Sequence, residues 1–441
     1  PVLKAGFGAS DYCEVNVNCP EGANWQDEKR GIARILLKDG SQYFYCTGSL
    51  VNNTALDNTP YFLTANHCGK NASLSDYQMW IFYFNYESET CEDPEEEPDP
   101  GTMSGAVLRA KTENNESLAS DFKLLELNSN IPDSYGPFFN GWNRSNVIPS
   151  SGTGIHHPQG DIKKISTYTT APISTSWEGS TSDPDEKYFK LRWAETQTNH
   201  GVTEGGSSGS PIFNADGEIV GTLTGGTAKC DNPNAPDYYG KFWYHWDQNG
   251  SEASAQLKPW LDPENLEISS LKGIGLNENI LLALFKSSKD TIQIGGDVDF
   301  EDLSYGEPTF WEWQFDGGQP AQSQVQNPQN IVYPDFGKYD VRLIIKKDGE
   351  SDTLLKKDFI YVKPLIGPNP STGRVEIFLG KNEINRFSAN VYDIFGRIVL
   401  SQNYDSPGKN VVLELQEFSD GLYVIELIRD DFSSTHKIIL M

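Results

Sequence analysis

The chain has 441 residues, with 35 lysines and arginines against 62 aspartates and glutamates, so its net charge at pH 7 is −27. This length exceeds that of one ordinary domain and predicts two or three separate cores. The negative charge would repel phosphate backbones and anionic lipid, which excludes nucleic acid as an expected partner. Because the sequence contains no apolar run of about 18 residues, we expect no membrane span.

All six cysteines lie at or before Cys230. An even number of cysteines confined to one region is typical of disulfides formed outside the cytoplasm. Six cysteines allow fifteen pairings, and their spacing does not choose among them.

The first residue with a catalytic pattern is a histidine just past a predicted strand. Residues 61–63 are an apolar run, and His67 follows it within a few residues. Further along, Asp121 opens the apolar run that ends at residue 127. A histidine can act as a base when a carboxylate orients its ring. His67 is therefore the candidate base and Asp121 the candidate orienting acid, although Asp185 or Asp231 would also serve by residue type.

A serine between glycines precedes another predicted strand. Residues 206–211 read Gly-Ser-Ser-Gly-Ser-Pro and lead into an apolar run. The glycines permit a tight turn, so the amides of Gly206 and Ser208 can point at one position beside the Ser208 hydroxyl. A serine hydroxyl attacks well only when a neighbouring base takes its proton. The pattern predicts Ser208 as the nucleophile and these two amides as an oxyanion hole.

The chain order His67, Asp121, Ser208 is that of the chymotrypsin-like serine proteases. Residues 1–265 resemble one bacterial branch of that group, the lysyl endopeptidases. The phrases that match are Cys19-Pro20-Glu21-Gly22, Cys46-Thr47-Gly48-Ser49-Leu50, Tyr61-Phe62-Leu63-Thr64-Ala65, Ser120-Asp121-Phe122, Ile155-His156-His157-Pro158 and Gly201-Val202-Thr203-Glu204. The resemblance implies a chymotrypsin-like double β-barrel that hydrolyses peptide bonds through an acyl-enzyme. It also implies three disulfides, Cys46–Cys68, Cys13–Cys230 and Cys19–Cys91.

Substrate preference depends on the pocket for the residue before the scissile bond, the P1 residue. Six positions before the nucleophile, where trypsin-like enzymes carry an aspartate, this chain has Val202. Lysyl endopeptidases place their aspartate after the last cysteine, and the resemblance implies Asp237 for that role. Glu204 is expected to assist from the pocket wall, and Asp231 is the alternative to Asp237.

Two further features of the sequence bear on activation and on metal binding. Many relatives in the wider group carry, before the nucleophile, an aspartate that pairs with a newly cut N-terminus. Ser207 stands at that position, so the resemblance implies that this activation switch is absent. The adjacent histidines His156 and His157 lack the spacing and the carboxylate neighbours of a zinc site. We therefore expect neither a metal nor an organic cofactor.

A second domain is predicted over residues 266–363. Trp311, Trp313 and Phe315 alternate with polar residues, and residues 339–345 show the same period of two, which indicates half-buried strands. The phrases Trp311-Glu312-Trp313-Gln314-Phe315-Asp316-Gly317-Gly318 and Tyr333-Pro334-Asp335-Phe336-Gly337 resemble a PKD repeat. The resemblance implies a small immunoglobulin-like β-sandwich.

A third domain is predicted over residues 364–441. The phrases Gly367-Pro368-Asn369-Pro370-Ser371-Thr372-Gly373, Val391-Tyr392-Asp393-Ile394-Phe395-Gly396-Arg397 and Gly421-Leu422-Tyr423 resemble the C-terminal sorting domain of the type IX secretion system. We expect β runs at residues 375–379, 389–399, 411–415, 422–428 and 436–441. The resemblance implies a second small β-sandwich, export across an outer membrane, and the type IX translocation and attachment machinery as partner.

The combined expectation is an all-β, secreted serine endopeptidase that takes proteins and peptides as substrates and cleaves after lysine. Two alternatives stay open. One is a serine endopeptidase with another P1 preference, and the other is a catalytically silent surface adhesion or binding protein built on a protease fold. Preference for lysine against arginine is also open.

Overall fold

Strands dominate the described residues of the computed structural model, which are 6–112, 120–177, 186–276, 278, 280–380, 384–429 and 432–441. The chain divides into two units, Pro1–Glu278 and Asn279–Met441. Each unit has its own sheets and its own buried apolar residues.

The first sheet of unit 1 has seven strands. In chain order they are β1 Ile32–Asp39, β2 Gln42–Leu50, β3 Tyr61–Thr64, β4 Ile81–Phe84, β5 Gly101–Ser104, β6 Ala106–Lys111 and β7 Lys123–Leu127. Their spatial order is β5-β4-β1-β2-β3-β7-β6, and the pairings are antiparallel. Apolar side chains such as Ile35, Leu37 and Phe62 are fully buried, so the apolar runs of these strands form the core.

The second sheet of unit 1 follows in the chain. Its region contains β8 Phe138–Phe139, β9 Gly141–Asn143, β10 Gly152–His156, β11 Lys164–Tyr168, β12 Ile173–Thr175, β13 Tyr188–Leu191, β14 Pro211–Asn214, β15 Glu218–Gly226, β16 Asp237–Lys241, β17 Ser270–Leu271 and β18 Ile274–Gly275. The main order is β11-β10-β14-β15-β16-β13-β12, with β9 joined to β15 and β17, while β8 pairs separately with β18.

Among its described residues, unit 1 also has three short α-helices, α1 Leu74–Tyr77, α2 Phe242–Asp247 and α3 Lys258–Leu261, besides several one-turn 3-10 helices. The α1 helix is capped by Ser73, whose hydroxyl accepts the amide of Asp76. In the part of the chain that the structure describes, no helix has the length and apolar character of a membrane span.

Unit 1 continues past the domain end predicted at residue 265. The short strands β17 and β18 pair with β9 and β8, and Leu266, Ile268, Leu271 and Ile274 are buried. Residues 266–278 therefore belong to the packing of unit 1.

The first part of unit 2 packs β strands around Trp313. These strands are β19 Phe285–Ser287, β20 Thr291–Gln293, β21 Asp297–Val298, β22 Phe300–Asp302, β23 Phe310–Phe315, β24 Gln322–Ser323, β25 Ile331–Val332, β26 Gly337–Lys347 and β27 Glu350–Lys363. Trp313 and Phe315 are buried with Val341, Leu343 and Ile345 in one cluster. The predicted period of two is therefore confirmed along β26 and along the second half of β23.

The second part of unit 2 has a three-stranded and a four-stranded sheet. The strands are β28 Leu365–Gly367, β29 Arg374–Phe378, β30 Ile384–Tyr392, β31 Ile398–Gly408, β32 Asn410–Glu414, β33 Gly421–Arg429 and β34 Phe432–Leu440. The orders are β28-β29-β32 and β31-β30-β33-β34, and a shared apolar cluster joins the two sheets. This part and the preceding one are the two small sandwiches, and with unit 1 they confirm the all-β, chymotrypsin-like fold class.

Candidate active site

The histidine and the aspartate predicted for catalysis lie at neighbouring ends of two paired strands. β3 and β7 run antiparallel, with Thr64 opposite Lys123. His67 follows the end of β3, and Asp121 precedes the start of β7. Because the carboxyl end of one antiparallel strand lies beside the amino end of its partner, this register brings the two side chains together.

Asp121 holds His67 through both carboxylate oxygens. Nδ1 of the ring lies 2.5 Å from Oδ2, and the His67 backbone amide donates to Oδ1 at 3.0 Å. A carboxylate beside Nδ1 favours the tautomer with the proton on that nitrogen, which leaves the lone pair on Nε2. The imidazole thus has the orientation and the tautomer of a general base.

The charge state of Asp121 follows from two opposing effects. Burial alone would raise the pKa of its carboxyl, since the charged form loses hydration. The charge and the hydrogen bonds of His67 outweigh burial, with a smaller contribution from Thr224, and hold the pKa below its ordinary value. Asp121 is therefore ionised at neutral pH and can stabilise a protonated imidazole.

The turn that carries Ser208 packs against β3. The Ser208 carbonyl accepts the Thr47 amide at 2.9 Å and lies 3.6 Å from Sγ of Cys68. Gly209 has a φ of +82°, and a Cβ there would lie 2.1 Å from the hydroxyl oxygen of Thr64. Since only glycine fits this approach, the structure brings the third predicted catalytic residue to the strand end that carries the histidine.

Two amides of the same turn have no acceptor among the residues that the structure describes. Ser207 donates its amide to the Glu204 carbonyl at 3.0 Å, whereas no acceptor among the described residues takes the amide hydrogen of Gly206 or Ser208. Gly206 has a φ of +98°, and a Cβ there would lie 2.8 Å from the carbonyl oxygen of His157. Two unused amides beside a serine hydroxyl form an arrangement that can bind an oxyanion.

All six cysteines are paired. The bonds are Cys13–Cys230, Cys19–Cys91 and Cys46–Cys68, the same pairs that the family resemblance implies. The last of them ties strand β2 to the residue after His67, so the loop that carries the candidate base is covalently fixed to the sheet.

Asp237 begins strand β16 and is buried. Its Oδ2 accepts the indole N–H of Trp193 and the hydroxyl of Thr203, both at 2.7 Å, and its Oδ1 accepts the Ala228 amide at 3.2 Å. Burial raises the pKa of this carboxyl, and the three hydrogen bonds oppose the rise. A Cβ at Gly226 would lie 2.0 Å from Oδ1, so the wall beside the carboxylate carries no side chain.

The remaining acidic candidates lie in different surroundings. Glu204 is partly buried next to Thr203, its Oε2 accepts the Asp11 amide at 3.3 Å, and burial raises its pKa. Asp231 is exposed. Asp185 lies outside the described residues. Of these candidates, Glu204 is the one on the segment that leads into the Ser208 turn.

Two parts of the chain match known protein families. Residues 7–240 match the family described as "Lysyl endopeptidase, C-terminal domain", more than half of the chain. The chain belongs to the lysyl endopeptidase family. Residues 366–441 match the "Secretion system C-terminal sorting domain". This lysyl endopeptidase family member is therefore a secreted or cell-surface protein that carries a type IX sorting domain.

Individual relatives match about half of the chain. The lysyl endopeptidase of Pseudomonas aeruginosa is 29% identical over 254 residues, 54% of this chain and 50% of that protein. The chain thus spans about half the length of this relative. Among solved structures, the protease Anisep from Arthrobacter nicotinovorans is 17% identical, covering 49% of this chain and 91% of its own, with a TM-score of 0.35. A Glu endopeptidase is 16% identical, covering 53% and 92%, with a TM-score of 0.32.

A cavity of about 260 Å³ adjoins the histidine–aspartate pair of this family member, and Trp177, Tyr188 and Thr224 line part of it. The Trp177 ring lies 5.5 Å from the rings of both Tyr188 and Tyr238. Sequence reasoning does not identify the two tyrosines, because they lie on β13 and β16, far from His67 in the chain. Trp177 and Tyr188 give the cavity an aromatic wall, and Tyr238 packs against Trp177.

The paired histidines of this lysyl endopeptidase family member are buried and bonded within the protein. His157 Nδ1 lies 2.9 Å from the Asp161 carbonyl, and His156 contacts Ser207 and Ser166. Across the described ranges, no group of three or more histidine, cysteine, aspartate or glutamate side chains could hold a metal ion. Sequence reasoning misses the His156–Ser207 contact, and the signal for it is the serine at a position where the wider group carries an aspartate.

Proposed function

We propose that this chain is a secreted serine endopeptidase in which Ser208 is the nucleophile, His67 the general base and Asp121 the orienting carboxylate. The observation that carries the proposal is the 2.5 Å contact between His67 Nδ1 and Asp121 Oδ2, at the strand end against which the Ser208 turn packs. An endopeptidase of this kind needs these three groups and no bound metal.

Catalysis would proceed by acyl transfer. Nε2 of His67 takes the proton of the Ser208 hydroxyl as its oxygen attacks the scissile carbonyl carbon, and the amides of Gly206 and Ser208 bind the oxyanion that forms. His67 then gives the proton to the leaving amine. Water repeats the sequence on the acyl-enzyme and restores the serine.

We further propose that the pocket beside the turn selects a basic P1 residue through Asp237 and Glu204. Three hydrogen bonds stabilise the carboxylate form of Asp237, and Gly226 leaves its face without a covering side chain. An opposite charge at 4 Å is worth about 4 kcal/mol at an effective dielectric near 20, before desolvation. That is sufficient for strong discrimination in favour of lysine or arginine.

We also propose the three domains predicted from the sequence. Residues 1–265 would form the protease domain, 266–363 a linker and PKD-like spacer, and 364–441 the sorting domain. The separate apolar cluster around Trp313 supports the spacer. The first residues of the range proposed for the linker and spacer, up to Glu278, belong to unit 1.

A digest of a defined protein mixture, read by mass spectrometry, tests activity and P1 preference together. We expect wild type to cut after lysine, arginine or both, and the relative yields decide between them. Ser208→Ala should lower turnover by on the order of a millionfold. Asp237→Asn keeps the shape of the side chain without its charge and should lower cleavage after basic residues by about a hundredfold or more.

Other outcomes identify the alternatives. Cleavage spread over acidic or apolar residues would contradict the roles of Asp237 and Glu204 while keeping the serine protease. Labelling by a fluorophosphonate reports an activated serine directly. Wild type that neither cuts the mixture nor reacts with this probe would contradict the proposal and support the surface adhesion protein.

A further inference from the structure

A buried chain of hydrogen bonds lies behind the Ser208 turn. Ser207 Oγ lies 2.8 Å from His156 Nδ1, and His156 Nε2 lies 3.0 Å from Ser166 Oγ. At one end, Ser207 Oγ accepts the Glu204 amide at 3.2 Å, and at the other, Ser166 donates to the Val202 carbonyl at 2.9 Å. We call these five residues the polar chain.

The direction of each hydrogen bond follows from the two ends. A carbonyl can only accept, so the Ser166 hydroxyl hydrogen points to Val202, and Ser166 Oγ must accept from Nε2–H of His156. Nδ1 of the ring then carries the lone pair and accepts the Ser207 hydroxyl hydrogen, while Ser207 Oγ accepts the Glu204 amide. Every donor and acceptor of the ring is thus used once.

This assignment requires an uncharged imidazole, and its surroundings supply that condition. His156 is fully buried, and burial together with the positive charge of Lys164 lowers its pKa to about 3. The Glu14 carboxyl lies 3.9 Å from Nε2 and is itself buried. Burial and the nearby Glu204 carboxylate raise the pKa of Glu14 well above its ordinary value. A pKa of about 3 leaves His156 uncharged at neutral pH, which suits neutral hydrogen bonds.

The polar chain ends on either side of Thr203, a hydrogen-bond partner of Asp237. Val202 and Glu204, its two ends, flank Thr203, whose hydroxyl donates to Asp237 at 2.7 Å. The middle of the polar chain is Ser207, which lies between the two amides proposed to bind the oxyanion. One set of bonds therefore connects the proposed oxyanion turn with Thr203, which bonds the proposed P1 residue-binding carboxylate of Asp237.

We propose that His156 is a positioning residue that fixes the oxyanion turn through Ser207 and the P1 pocket wall through Ser166. The inference rests on the proposed function, because it assigns a supporting role in the same site. His156 touches neither the substrate nor the reacting atoms. It sets the place of backbone groups that do.

The test compares three variants of the full-length protein with wild type. His156→Leu removes both ring hydrogen bonds, His156→Gln keeps one acceptor and one donor on a side chain of similar reach, and Ser207→Ala removes the contact to the turn. The matched control is His157→Gln, which changes a neighbouring histidine that is equally buried but whose side chain is not bonded to residues 204–208.

Turnover is measured on a peptide anilide that carries the P1 residue preferred by wild type, and each value is divided by the concentration of titrated active sites. We expect His156→Leu to lower kcat by on the order of a hundredfold, the cost of a displaced oxyanion donor, and to raise KM as well. His156→Gln should recover part of both, and His157→Gln should stay within a few-fold of wild type.

Fluorophosphonate labelling supplies the second readout, since this small probe uses the serine and the oxyanion site but not the P1 pocket. We expect slow labelling in His156→Leu and Ser207→Ala, and normal labelling in Asp237→Asn. If His156→Leu does not fold, as judged by circular dichroism, Ser207→Ala decides the question alone. Wild-type kcat, KM and labelling rate in a folded His156→Leu or Ser207→Ala protein would overturn the inference, whereas an unreactive wild type would overturn the proposed function.

Discussion

Lys123 is the clearest example of a single residue that supports the site from outside it. Its side chain is fully buried, and Nζ donates to the carbonyls of Cys68 and Gly69 at 2.5 and 3.0 Å. Burial, with the charge of Lys111, lowers its pKa to about 7, although Asp121 and Asp39 favour the charged form. A neutral amine still has two hydrogens, so both bonds to the histidine loop survive deprotonation.

This gives a pH-dependent prediction for stability. An unfolded lysine titrates near 10.4, so between about pH 7 and 10 the unfolded chain binds one more proton than the folded chain at this position. The free energy of unfolding must therefore rise with pH over that interval through this group. We expect the difference between wild type and Lys123→Met to grow from pH 7 to 10 and to stay constant below pH 7, as measured by urea unfolding.

The control is Lys229→Met, which removes an exposed lysine. Its unfolding free energy should run parallel to that of wild type at every pH. A constant difference between wild type and Lys123→Met across the whole range would contradict the lowered pKa of Lys123.

Sequence patterns locate residues that act at strand ends but not those that act through distant partners. His67 and Asp121 each lie beside an apolar run, so local reading places them and the structure brings them together. His156, Ser166 and Ser207 are joined only by folding, and nothing in their local sequence marks them as a chain. Apart from the serine at position 207, where the wider group carries an aspartate, the sequence gives no signal for the buried contacts behind the turn.

At the scale of elements, β2, β3 and β7 hold the Ser208 turn, the loop of His67 and the segment of Asp121. The Cys46–Cys68 bond closes a loop of 22 residues between β2 and the histidine loop. In the chain-entropy account, a loop of this size contributes about 3 kcal/mol by restricting the unfolded chain. The bond also limits movement of the base relative to the nucleophile turn.

Removing that bond should affect both stability and catalysis. We expect Cys46→Ala/Cys68→Ala to lower the free energy of unfolding by about 3 kcal/mol and to lower kcat per folded molecule. The matched control is Cys19→Ala/Cys91→Ala, which opens a longer loop of 72 residues whose cysteines border none of the proposed catalytic residues. Its stability loss should be at least as large, with kcat unchanged. Equal losses of kcat in both pairs would contradict a role for Cys46–Cys68 in placing the base.

Strands that are short or polar are the ones that the sequence pattern predicts least accurately. The runs expected at residues 375–379, 411–415, 422–428 and 436–441 correspond to β29, β32, β33 and β34. The run expected at 389–399, with a turn predicted at Phe395-Gly396-Arg397, corresponds to the end of β30 and the start of β31 with a turn between them, and β31 continues to Gly408. Its residues 401–407 are mostly polar and lack apolar alternation. The two-residue strands β17 and β18 are too short to show any period.

At the scale of the molecule, the boundary between the units matters for producing unit 1 on its own. Residues 266–278 place Leu266, Ile268, Leu271 and Ile274 in the packing of unit 1. We expect a chain that ends at residue 278 to unfold at a distinctly higher temperature than one that ends at residue 265, since burying each such side chain is worth roughly 1.5–3 kcal/mol. Thermal unfolding followed by circular dichroism measures this, and equal midpoints would contradict the packing of this segment.

The Cys13–Cys230 bond joins residues 217 positions apart. The segment beginning at Cys13 carries Glu14, which lies against the polar chain, and it cannot be fastened until almost the whole of unit 1 has been synthesised. Because disulfides of this kind form outside the cytoplasm, the bond closes only after export. If the proposed function holds, the enzyme would gain its fastened N-terminal segment away from the interior of the cell that makes it.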